Sequence, residues 1–477
     1  MEIQLQVSES MLGKLDLLME RIPYLAETIT GVTYVETARM VVVALDTEEI
    51  AEAEELHEDY AALCDSLMQT RVISKTVVRS NQSDSDRSVI SSASVSSEAP
   101  VSAPYLDETD ITLLEQLDRS FIEIARHHGA VLREYPSTFT KANMARNQYH
   151  INFPQNIVGV ATVPHQFKTI NRFREQAASH SHHQSLVPTG EILQPCICYH
   201  CYEEQQGSRS GSRRIMTAKG KCFRNEIAWR KDEFRRTEFM MREIVFVGDQ
   251  QWVMDTRNAI MDEVWELFTG LGLTGKIETA TDPFFFSQDV KTKGAYQMVS
   301  NAKYELAAVR NNGQESSIAS FNYCEDVLCG KYDIRDEDGN GMYSGCVAFG
   351  MDRWKEAFLE RYGRDQSQWP TFTIQALKQE QMLAVAATPV AHRSCSEDAE
   401  QAIIHVLHDI FQREVNLEPD EDLNQAGLDS ITTIDLIVGL EERLGIRIQD
   451  QDLTVANLSS IRTITEMLNN KYCAVVS

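Results

Sequence analysis

Ser430 lies where a hydroxyl could accept a covalently attached group. It ends the segment Gly427-Leu428-Asp429-Ser430, which separates two apolar stripes of helical spacing. Gly427 permits a tight turn, and Ser430 falls at the N-cap of the predicted next helix. A hydroxyl there is exposed at a helix end whose partial positive charge favours a phosphodiester. The segment therefore predicts either an attachment point for a phosphate-linked group or only a helix N-cap.

A dense basic stretch lies over residues 209–236 in the middle of the chain. The whole chain has a net charge of −26, so it repels nucleic-acid backbones unless a basic patch offsets that charge. The stretch is interpreted as a solvated loop or as a site for a small polyphosphate such as ATP. GxxxxGK[ST] does not occur in the sequence, and the middle block lacks the βαβ alternation of a Rossmann fold, so neither a P-loop nor a Rossmann site is indicated.

The chain has 10 cysteines spread over 477 residues, which is not typical of a disulfide framework. Metal binding or catalysis by a few of them is expected, with the others buried. Cys198 and Cys201 form a CxxC pair, but no second pair accompanies it. A zinc ribbon is therefore not predicted. Buried cysteines without any metal remain the alternative.

The N-terminal part predicts a small α/β module of unknown role over residues 1–78. A Ser-rich stretch without aromatic residues follows at 79–104 and is typical of a flexible linker. Within the module, strand-like runs alternate with helix-like runs, namely strands at 2–7 and 32–45 and helices at 11–25 and 48–68.

The middle block, residues 105–378, predicts an α+β domain with an antiparallel sheet. Its opening helix is indicated by apolar residues at 3.6-residue spacing: Ile111, Leu114, Leu117, Phe121 and Ile124. A second helix is expected at 255–271, and strands are expected at 196–202, 243–247 and 347–350. A connector at 379–396 leads to an acidic tail domain, 397–477, which predicts four helices. We count 16 acidic and 5 basic residues in that tail.

No apolar run approaches the ~18 residues of a membrane span, and the N-terminus lacks the basic-then-apolar form of a signal peptide. We therefore expect a cytoplasmic protein without a membrane partner.

The tail segment resembles the acyl/peptidyl carrier protein family, whose pattern is G-[LMF]-D-S-[LI] at the start of the second helix. All five positions match, from Gly427 to Ile431. The resemblance covers roughly 80 residues and implies that 4'-phosphopantetheine is attached to Ser430.

The basic stretch resembles motif 2 of the class II aminoacyl-tRNA synthetases, F-R-x-E followed by a loop and [RH]-x-x-x-F-x-x-x-[DE]. The matching residues are Phe223, Arg224, Glu226, Arg235, Phe239 and Glu243. The resemblance implies that Arg224 bridges the α-phosphate of ATP and the amino-acid carboxylate. It also implies that Glu226 and Arg235 contact the nucleotide and that Phe239 stacks on adenine.

A match to motif 3 follows at residues 344–353, where a Gly-rich strand precedes Asp352-Arg353. The resemblance implies that Arg353 holds the far phosphates and that Arg224 and Arg353 are the catalytic arginines. Ala348 stands where many members have glycine. The alternative for both arginines is an ordinary surface ion pair.

The residue pattern of the middle block resembles that of the amino acid:carrier protein ligases, which are relatives of the atypical zinc-dependent seryl-tRNA synthetases. Four segments carry the resemblance: residues 198–202, 241–245, 319–323 and 344–347. It implies a zinc ion held by Cys198, Glu243 and Cys346, with a fourth position for the substrate amino group. Cys201 competes with Cys198 as the first ligand.

Five further residues are weaker candidates. Ser320 and Asn322 resemble the substrate-side strand of the seryl enzymes, and Lys303 and Glu305 lie just before them; these four are candidates for amino-acid binding. Glu315 is a candidate for positioning Mg²⁺ with ATP. Core or loop roles are the alternative for each.

The resemblances together imply a ligase that activates an amino acid as its adenylate with ATP and transfers it to the phosphopantetheine thiol. That thiol would be on its own carrier or on that of a homodimer partner. The implied partners are a phosphopantetheinyl transferase and a downstream enzyme of a biosynthetic, natural-product type pathway, and not tRNA. The alternatives are a zinc-dependent seryl-type tRNA synthetase and a non-catalytic synthetase-like scaffold that presents the carrier.

Two patterns are interpreted as unrelated to metal. Asp336, Asp338, Asn340 and Gly341 match the start of an EF-hand, but the twelfth position is Val347 and not Glu. A polar hairpin turn is expected there. His180, His182 and His183 are expected to be solvated in a polar loop.

Overall fold

The computed structural model describes residues 1–68, 75–82, 105–177, 181–282, 293, 297, 301–372, 399–411, 417–421, 423–426, 428, 436, 437, 439, 440, 443, 444, 446, 448 and 458–472. The chain divides into two compact units, Met1–Lys378 and Gln379–Ser477.

The described residues of the first unit form fourteen strands: β1 (Glu2–Gln6), β2 (Ile29–Val35), β3 (Met40–Leu45), β4 (Val77–Ser80), β5 (Val131–Arg133), β6 (Thr138–Phe139), β7 (Gly159–Thr162), β8 (Val187–Leu193), β9 (Arg214–Phe223), β10 (Glu238–Gly248), β11 (Gly275–Thr279), β12 (Lys303–Val309), β13 (Glu315–Glu325) and β14 (Tyr343–Gly350). Its α-helices are α1 (Leu15–Arg21), α2 (Ile50–Met68), α3 (Glu108–His127), α4 (Lys141–Asn147), α5 (Tyr149–Asn152), α6 (Phe167–Ala177), α7 (Cys198–Glu204), α8 (Gln250–Gly270), α9 (Val327–Lys331) and α10 (Met351–Tyr362).

The N-terminal module is built on a three-stranded antiparallel sheet of order β1-β3-β2. Alternate residues of β3, Val41, Val43 and Leu45, are buried, as the two-residue period of a strand requires. The predicted strand at 32–45 is two strands, because a 3-10 turn at Glu36–Ala38 reverses the chain. The predicted helix at 11–25 is the short helix α1 between two 3-10 turns.

The large sheet of the first unit has eight strands in the order β4-β11-β12-β13-β14-β10-β9-β5, and all pairs are antiparallel except β5 with β9. The α+β class with a large antiparallel sheet is therefore confirmed. β4 pairs with β11 at one edge, so the predicted boundary between module and linker at 78/79 falls inside a strand of this sheet.

One face of this sheet is covered by α3, α8 and α10. Apolar side chains of the strands face these helices; Phe349 of β14 stacks on Phe121 of α3 with ring centroids 4.1 Å apart. Ile244, Phe246 and Phe321 on the same face are fully buried. Burial of this face supplies the main hydrophobic stabilisation of the unit.

The predicted opening helix is confirmed as α3, which begins at a capping box formed by Asp107 and Asp110. Leu117, Phe121 and Ile124 are buried as predicted, but Ile111 is 47% exposed. At 100° per residue, Ile111 lies on the face opposite to that of the buried residues.

The strand predicted at 196–202 is wrong: residues Cys198–Glu204 form the helix α7. A short apolar run does not distinguish a strand from a buried helix. Here Cys198, Cys201 and Tyr202 are buried at the i, i+3, i+4 positions of one helix face. The strands predicted at 243–247 and 347–350 lie within β10 and β14, and the helix predicted at 255–271 lies almost entirely within α8.

A small antiparallel sheet of order β6-β8-β7 completes the first unit. Within the described parts of both units, every helix is too short or too polar to cross a lipid bilayer.

The second unit contains the described helices α11 (Ala399–Phe411), α12 (Leu423–Ala426) and α13 (Ile461–Lys471). The predicted apolar stripes at 403–411 and 461–468 lie on α11 and α13, and their side chains share one core. Leu428, just before the predicted attachment site, is buried in that core. Ser430 itself lies outside the described residues.

Candidate active site

The predicted site residues on the central strands lie on the sheet face opposite to α3 and α8; they are Glu243, Lys303, Glu305, Ser320, Asn322 and Cys346. Strand pairing sets this arrangement, because Glu243 of β10 is opposite Ala348 of β14, and Cys346 of β14 is opposite Asn322 of β13. Ser320 of β13 is in turn opposite Glu305 of β12. Side chains two residues apart on a strand share a face. The pleat therefore gathers residues that are more than 100 positions apart in sequence.

A cavity opens on this face. Its volume is about 140 Å³, and the open space including adjoining solvent is about 740 Å³. Seven of the predicted residues line it: Arg224, Glu226, Phe239, Lys303, Glu305, Ser320 and Arg353.

Arg224 and Arg353 enter the cavity from the end of β9 and the start of α10. Arg224 donates to the carbonyl oxygen of Pro195 at 3.2 Å and lies over the ring of Phe239, 5.1 Å from its centroid. Arg353 donates to the carbonyls of Phe234 (2.7 Å) and Ser317 (2.8 Å). Both guanidinium groups are thus held by uncharged acceptors. Their positive charges remain available to an anion.

Glu226 and Arg235 form an ion pair of 3.0 Å within the loop between β9 and β10. Glu226 lines the cavity, whereas Arg235 supports it from behind. Glu315, predicted to position Mg²⁺, is outside the lining. It lies at the start of β13, where Lys276 (2.8 Å) and Gln82 (3.0 Å) bind its carboxylate.

Lys303 is buried in a charged cluster at the other end of the cavity. Its Nζ lies 2.8 Å from Asp282 and 3.0 Å from Glu305. Burial alone would lower the pKa of Lys303, but these two carboxylates raise it above the usual value. The carboxylate of Glu305 also accepts from Ser317 at 2.6 Å. Lys303 is therefore a fixed positive charge that keeps two carboxylates in place.

A group of sulfur and carboxylate donors lies beside the cavity. The donor atoms of Cys196, Cys198 and Glu243 are all within 4.8 Å of one another. Glu243 is 2% exposed and accepts from the backbone N–H of Ile197 at 2.7 Å. Burial and the nearby Cys346 raise the pKa of Glu243 to about 7.

Cys346 contacts the same group from β14. Hydrogen bonds from the thiols of Cys198 and Cys324 and from the amide of Asn322 lower the pKa of Cys346 well below its usual value. The Asn322 Nδ2 atom lies 3.4 Å from its sulfur. Thiols must lose their protons to bind a metal ion, so a metal bound here would displace protons from this group.

Cys201, the competitor for the first ligand, lies one helical turn further along α7. It is fully buried, and its thiol forms a hydrogen bond with the side chain of Tyr135. The structure thus places Cys198, and not Cys201, beside Glu243 and Cys346. Cys196 is an additional donor that the sequence reasoning did not name. The Cys-x-Cys spacing with Cys198 was the available signal.

Several other cavity residues were not predicted. Glu233, Phe234, Arg236, Ser317 and Asp352 line the cavity, and Asp282 binds Lys303. Arg236 and Asp352 could have been found from their places inside motifs 2 and 3. Asp282 had no sequence signal, because its partner is 21 residues away and their contact depends on the sheet.

The two patterns interpreted as unrelated to metal lie away from these donors. Asn340 donates to Asp336 at 2.7 Å through its backbone and at 2.9 Å through its side chain, in a turn that precedes β14. His183 is exposed, and His180 lies outside the described residues.

Comparisons with known proteins agree with this architecture. Residues 401–468 match the family model described as phosphopantetheine attachment site. The fold of the chain is similar to that in a crystal structure of M. kandleri SerRS in complex with A. aeolicus tRNASec. The TM-score is 0.53 at 16% identity, covering 80% of this chain and 77% of that chain. The first unit therefore has the class II synthetase-like fold, and the second is a carrier domain.

Two proteins of Bradyrhizobium diazoefficiens are similar in sequence. Amino acid–[acyl-carrier-protein] ligase 1 is 30% identical over 268 residues, 54% of this chain and 79% of that protein. Ligase 2 is 29% identical over 253 residues, 51% of this chain and 74% of that protein. A type-2 serine–tRNA ligase of Methanocaldococcus jannaschii is 25% identical over 191 residues, 39% of this chain and 37% of that protein. The chain belongs to the amino acid–[acyl-carrier-protein] ligase family.

Proposed function

We propose that this protein activates an amino acid with ATP and loads it onto the phosphopantetheine arm of its own carrier domain. Membership of the ligase family and the fused attachment-site domain support loading onto a carrier. The observation that carries the mechanism is the cavity lined by Arg224 and Arg353. Beside it lie the donor group that contains Cys198 and Glu243 and the neighbouring Cys346.

In the first step, a carboxylate oxygen of the amino acid attacks the α-phosphorus of ATP. The bond from that phosphorus to the β-bridging oxygen breaks, and pyrophosphate leaves. Arg224 would bind the carboxylate and the α-phosphate, and Arg353 would bind the far phosphates. Both would act mainly by orienting reactants and offsetting charge. Phe239 would stack on adenine, and Mg²⁺ would accompany ATP.

In the second step, the thiol sulfur of the arm on Ser430 bonds to the acyl carbon of the adenylate. AMP leaves, and the thiol proton is lost to solvent. A protein nucleophile is not required, because the adenylate is already an activated acyl group. Fusion of carrier and ligase in one chain, or in a homodimer, raises the effective concentration of the thiol.

Zinc fits the donor group beside the cavity. Two thiols and a buried carboxylate are ligands that zinc accepts, and three protein ligands leave one position for substrate. Zinc held by Cys198, Glu243 and Cys346 would supply a Lewis-acid position for the neutral α-amino group. Asn322, bound to Cys346, and Lys303, with its fixed carboxylates, would help shape the amino-acid end of the site.

Intact-mass analysis tests this function. The phosphopantetheinylated protein, incubated with ATP and a pool of amino acids, should gain the mass of one aminoacyl group, and that mass names the substrate. Ser430→Ala protein and a reaction without ATP are the controls, and neither should gain it. Charging of tRNA without loading of the arm would instead favour the seryl-type synthetase. Absence of amino-acid-dependent ATP–pyrophosphate exchange would favour the scaffold.

A further inference from the structure

The N-terminal module contacts the loop that joins β9 to β10, residues 224–237, here called the nucleotide loop. A 3-10 turn at Ala228–Arg230 projects from this loop. The indole ring of Trp229 packs against the hydrophobic core of the module, which includes Leu18 and Val41. Burial of a large aromatic ring against another substructure is the kind of contact that carries docking energy.

Charged groups extend the same contact toward the cavity. Tyr24 ends a 3-10 turn of the module, Ile22–Tyr24. Burial raises the pKa of Tyr24, and the charged groups that face it include Arg230, Glu226 and Arg235 of the nucleotide loop. Glu226 and Arg235 form the 3.0 Å ion pair at the proposed nucleotide end of the site. The module therefore reaches the residues that would contact the nucleotide.

The other half of the nucleotide loop is held by the catalytic sheet and its helices. Asp232 pairs with Arg310 at 3.0 Å, and the same guanidinium lies 4.1 Å from the ring centroid of Phe234. Arg353 donates to the carbonyl of Phe234 at 2.7 Å. The loop is thus held on two sides, by the catalytic unit at 232–236 and by the module at Trp229.

We propose that the N-terminal module is a clamp that positions the nucleotide loop, with Trp229 as its positioning residue. The clamp rests on the proposed function, because it acts on the nucleotide end of that site. It assigns a role to residues 1–68: they hold Glu226 and Arg235 in the geometry that binds ATP. Lys303, at the amino-acid end of the cavity, has its described ion pairs with Asp282 and Glu305 instead.

The module is also anchored independently of Trp229. The chain that follows it enters the large sheet as β4, and Lys75 pairs with Glu278 of β11 at 2.7 Å. Loss of the indole contact should therefore release the nucleotide loop without detaching or unfolding the module. This separation makes a single substitution informative.

The test compares Trp229→Ala, Trp229→Phe and wild type as full-length phosphopantetheinylated proteins. Amino-acid-dependent ATP–pyrophosphate exchange should show a KM for ATP raised about tenfold in Trp229→Ala, corresponding to ~1.4 kcal/mol. The KM for the amino acid should remain within about twofold, since the structural contact is to the nucleotide end alone. Trp229→Phe should restore most of the ATP affinity. Glu9→Ala, which removes an exposed side chain of the module next to Arg39, is the matched control and should behave as wild type.

Hydrogen exchange measured by mass spectrometry supplies a second readout that does not need activity. Peptides of the nucleotide loop should exchange faster in Trp229→Ala than in wild type, while peptides of β9 and β10 should not change. Unchanged exchange of the loop, or equal rises in both KM values, would overturn the clamp. Wild-type protein without pyrophosphate exchange would overturn the proposed function, and the loop peptides would still decide the clamp.

Discussion

Arg224 and Arg353 face the same cavity, and their like charges act on each other. Burial, followed by the positive charges of Arg224 and Arg235, lowers the pKa of Arg353 to about 10. Two guanidinium groups held by backbone carbonyls in one buried cavity are an arrangement that a polyphosphate stabilises.

Replacement of either arginine should therefore abolish most of the activation step. Arg224→Ala and Arg353→Ala should each lower kcat/KM for ATP–pyrophosphate exchange by about 10²–10³-fold, as expected for loss of one charge-stabilising group. Arg353→Ala should weaken mainly the binding of ATP, whereas Arg224→Ala should weaken the binding of both ATP and the amino acid. Arg209→Ala, at an exposed pair with Asp333, is the control. Activity near wild type in Arg353→Ala would contradict the assignment.

The zinc content of the protein should depend on the residues of the donor group. Purified wild-type protein should contain about one zinc per chain by inductively coupled plasma mass spectrometry, and Cys198→Ser, Glu243→Gln and Cys346→Ser should each lose most of it. Cys64→Ser, in the N-terminal module, should retain it. Cys196→Ser separates two ligand sets: retention of zinc supports Cys346 as the third ligand, and loss identifies Cys196 as that ligand.

Attachment of the arm should depend on Ser430 alone. Ser430→Ala protein treated with a phosphopantetheinyl transferase and coenzyme A should not gain the mass of the arm. It should nevertheless retain wild-type ATP–pyrophosphate exchange, because activation does not use the thiol. Loss of exchange together with the arm would show that the carrier takes part in the first step.

A buried ion pair on the helical face of the sheet should make stability depend on pH. Asp118 of α3 binds Arg242 of β10 at 3.1 Å and Lys219 at 2.7 Å. Burial would raise the pKa of Asp118, but the hydrogen bonds and charges of Arg242 and Lys219 lower it below 3.8. Because the pKa is lowered in the folded state, this stability is present above the unfolded value of about 3.9. It is lost as pH falls through the folded pKa.

Asp118→Asn should therefore cost about 3 kcal/mol at pH 7, because it leaves Arg242 buried without its counter-charge. The difference from wild type should shrink below about pH 4, where Asp118 of the unfolded chain begins to be protonated, and it should be lost as pH falls through the lowered pKa of the folded state. Urea unfolding followed by circular dichroism at pH 7 and pH 3.5 measures both values, with Asp59→Asn on the exposed face of α2 as control. A difference that does not change with pH would rule out this ion pair as its source.

Site residues could be predicted from the sequence where they belong to one short local motif. Arg224, Phe239 and Glu243 lie within one hairpin, so a motif of contiguous residues is sufficient to identify them. The helix α3 and the strands β10 and β14 were predictable from hydrophobic periodicity. The segment 196–202 was not, because its short apolar run fits a strand and a helix equally well, and the helix α7 is selected by packing of Cys201 and Tyr202.

By itself, the sequence determined the chemical types: a serine in a carrier-like segment, two motif arginines, and the two cysteines and the glutamate that the family resemblance implies as zinc ligands. Those assignments depend on neighbouring residues in the chain. Only the tertiary structure decided which distant groups meet. It brings Cys196 and Cys198 to Glu243, binds Lys303 to Asp282, and packs Trp229 against the core of the N-terminal module. These contacts follow from strand register and from the packing of one substructure on another, and neither leaves a periodic pattern in the sequence.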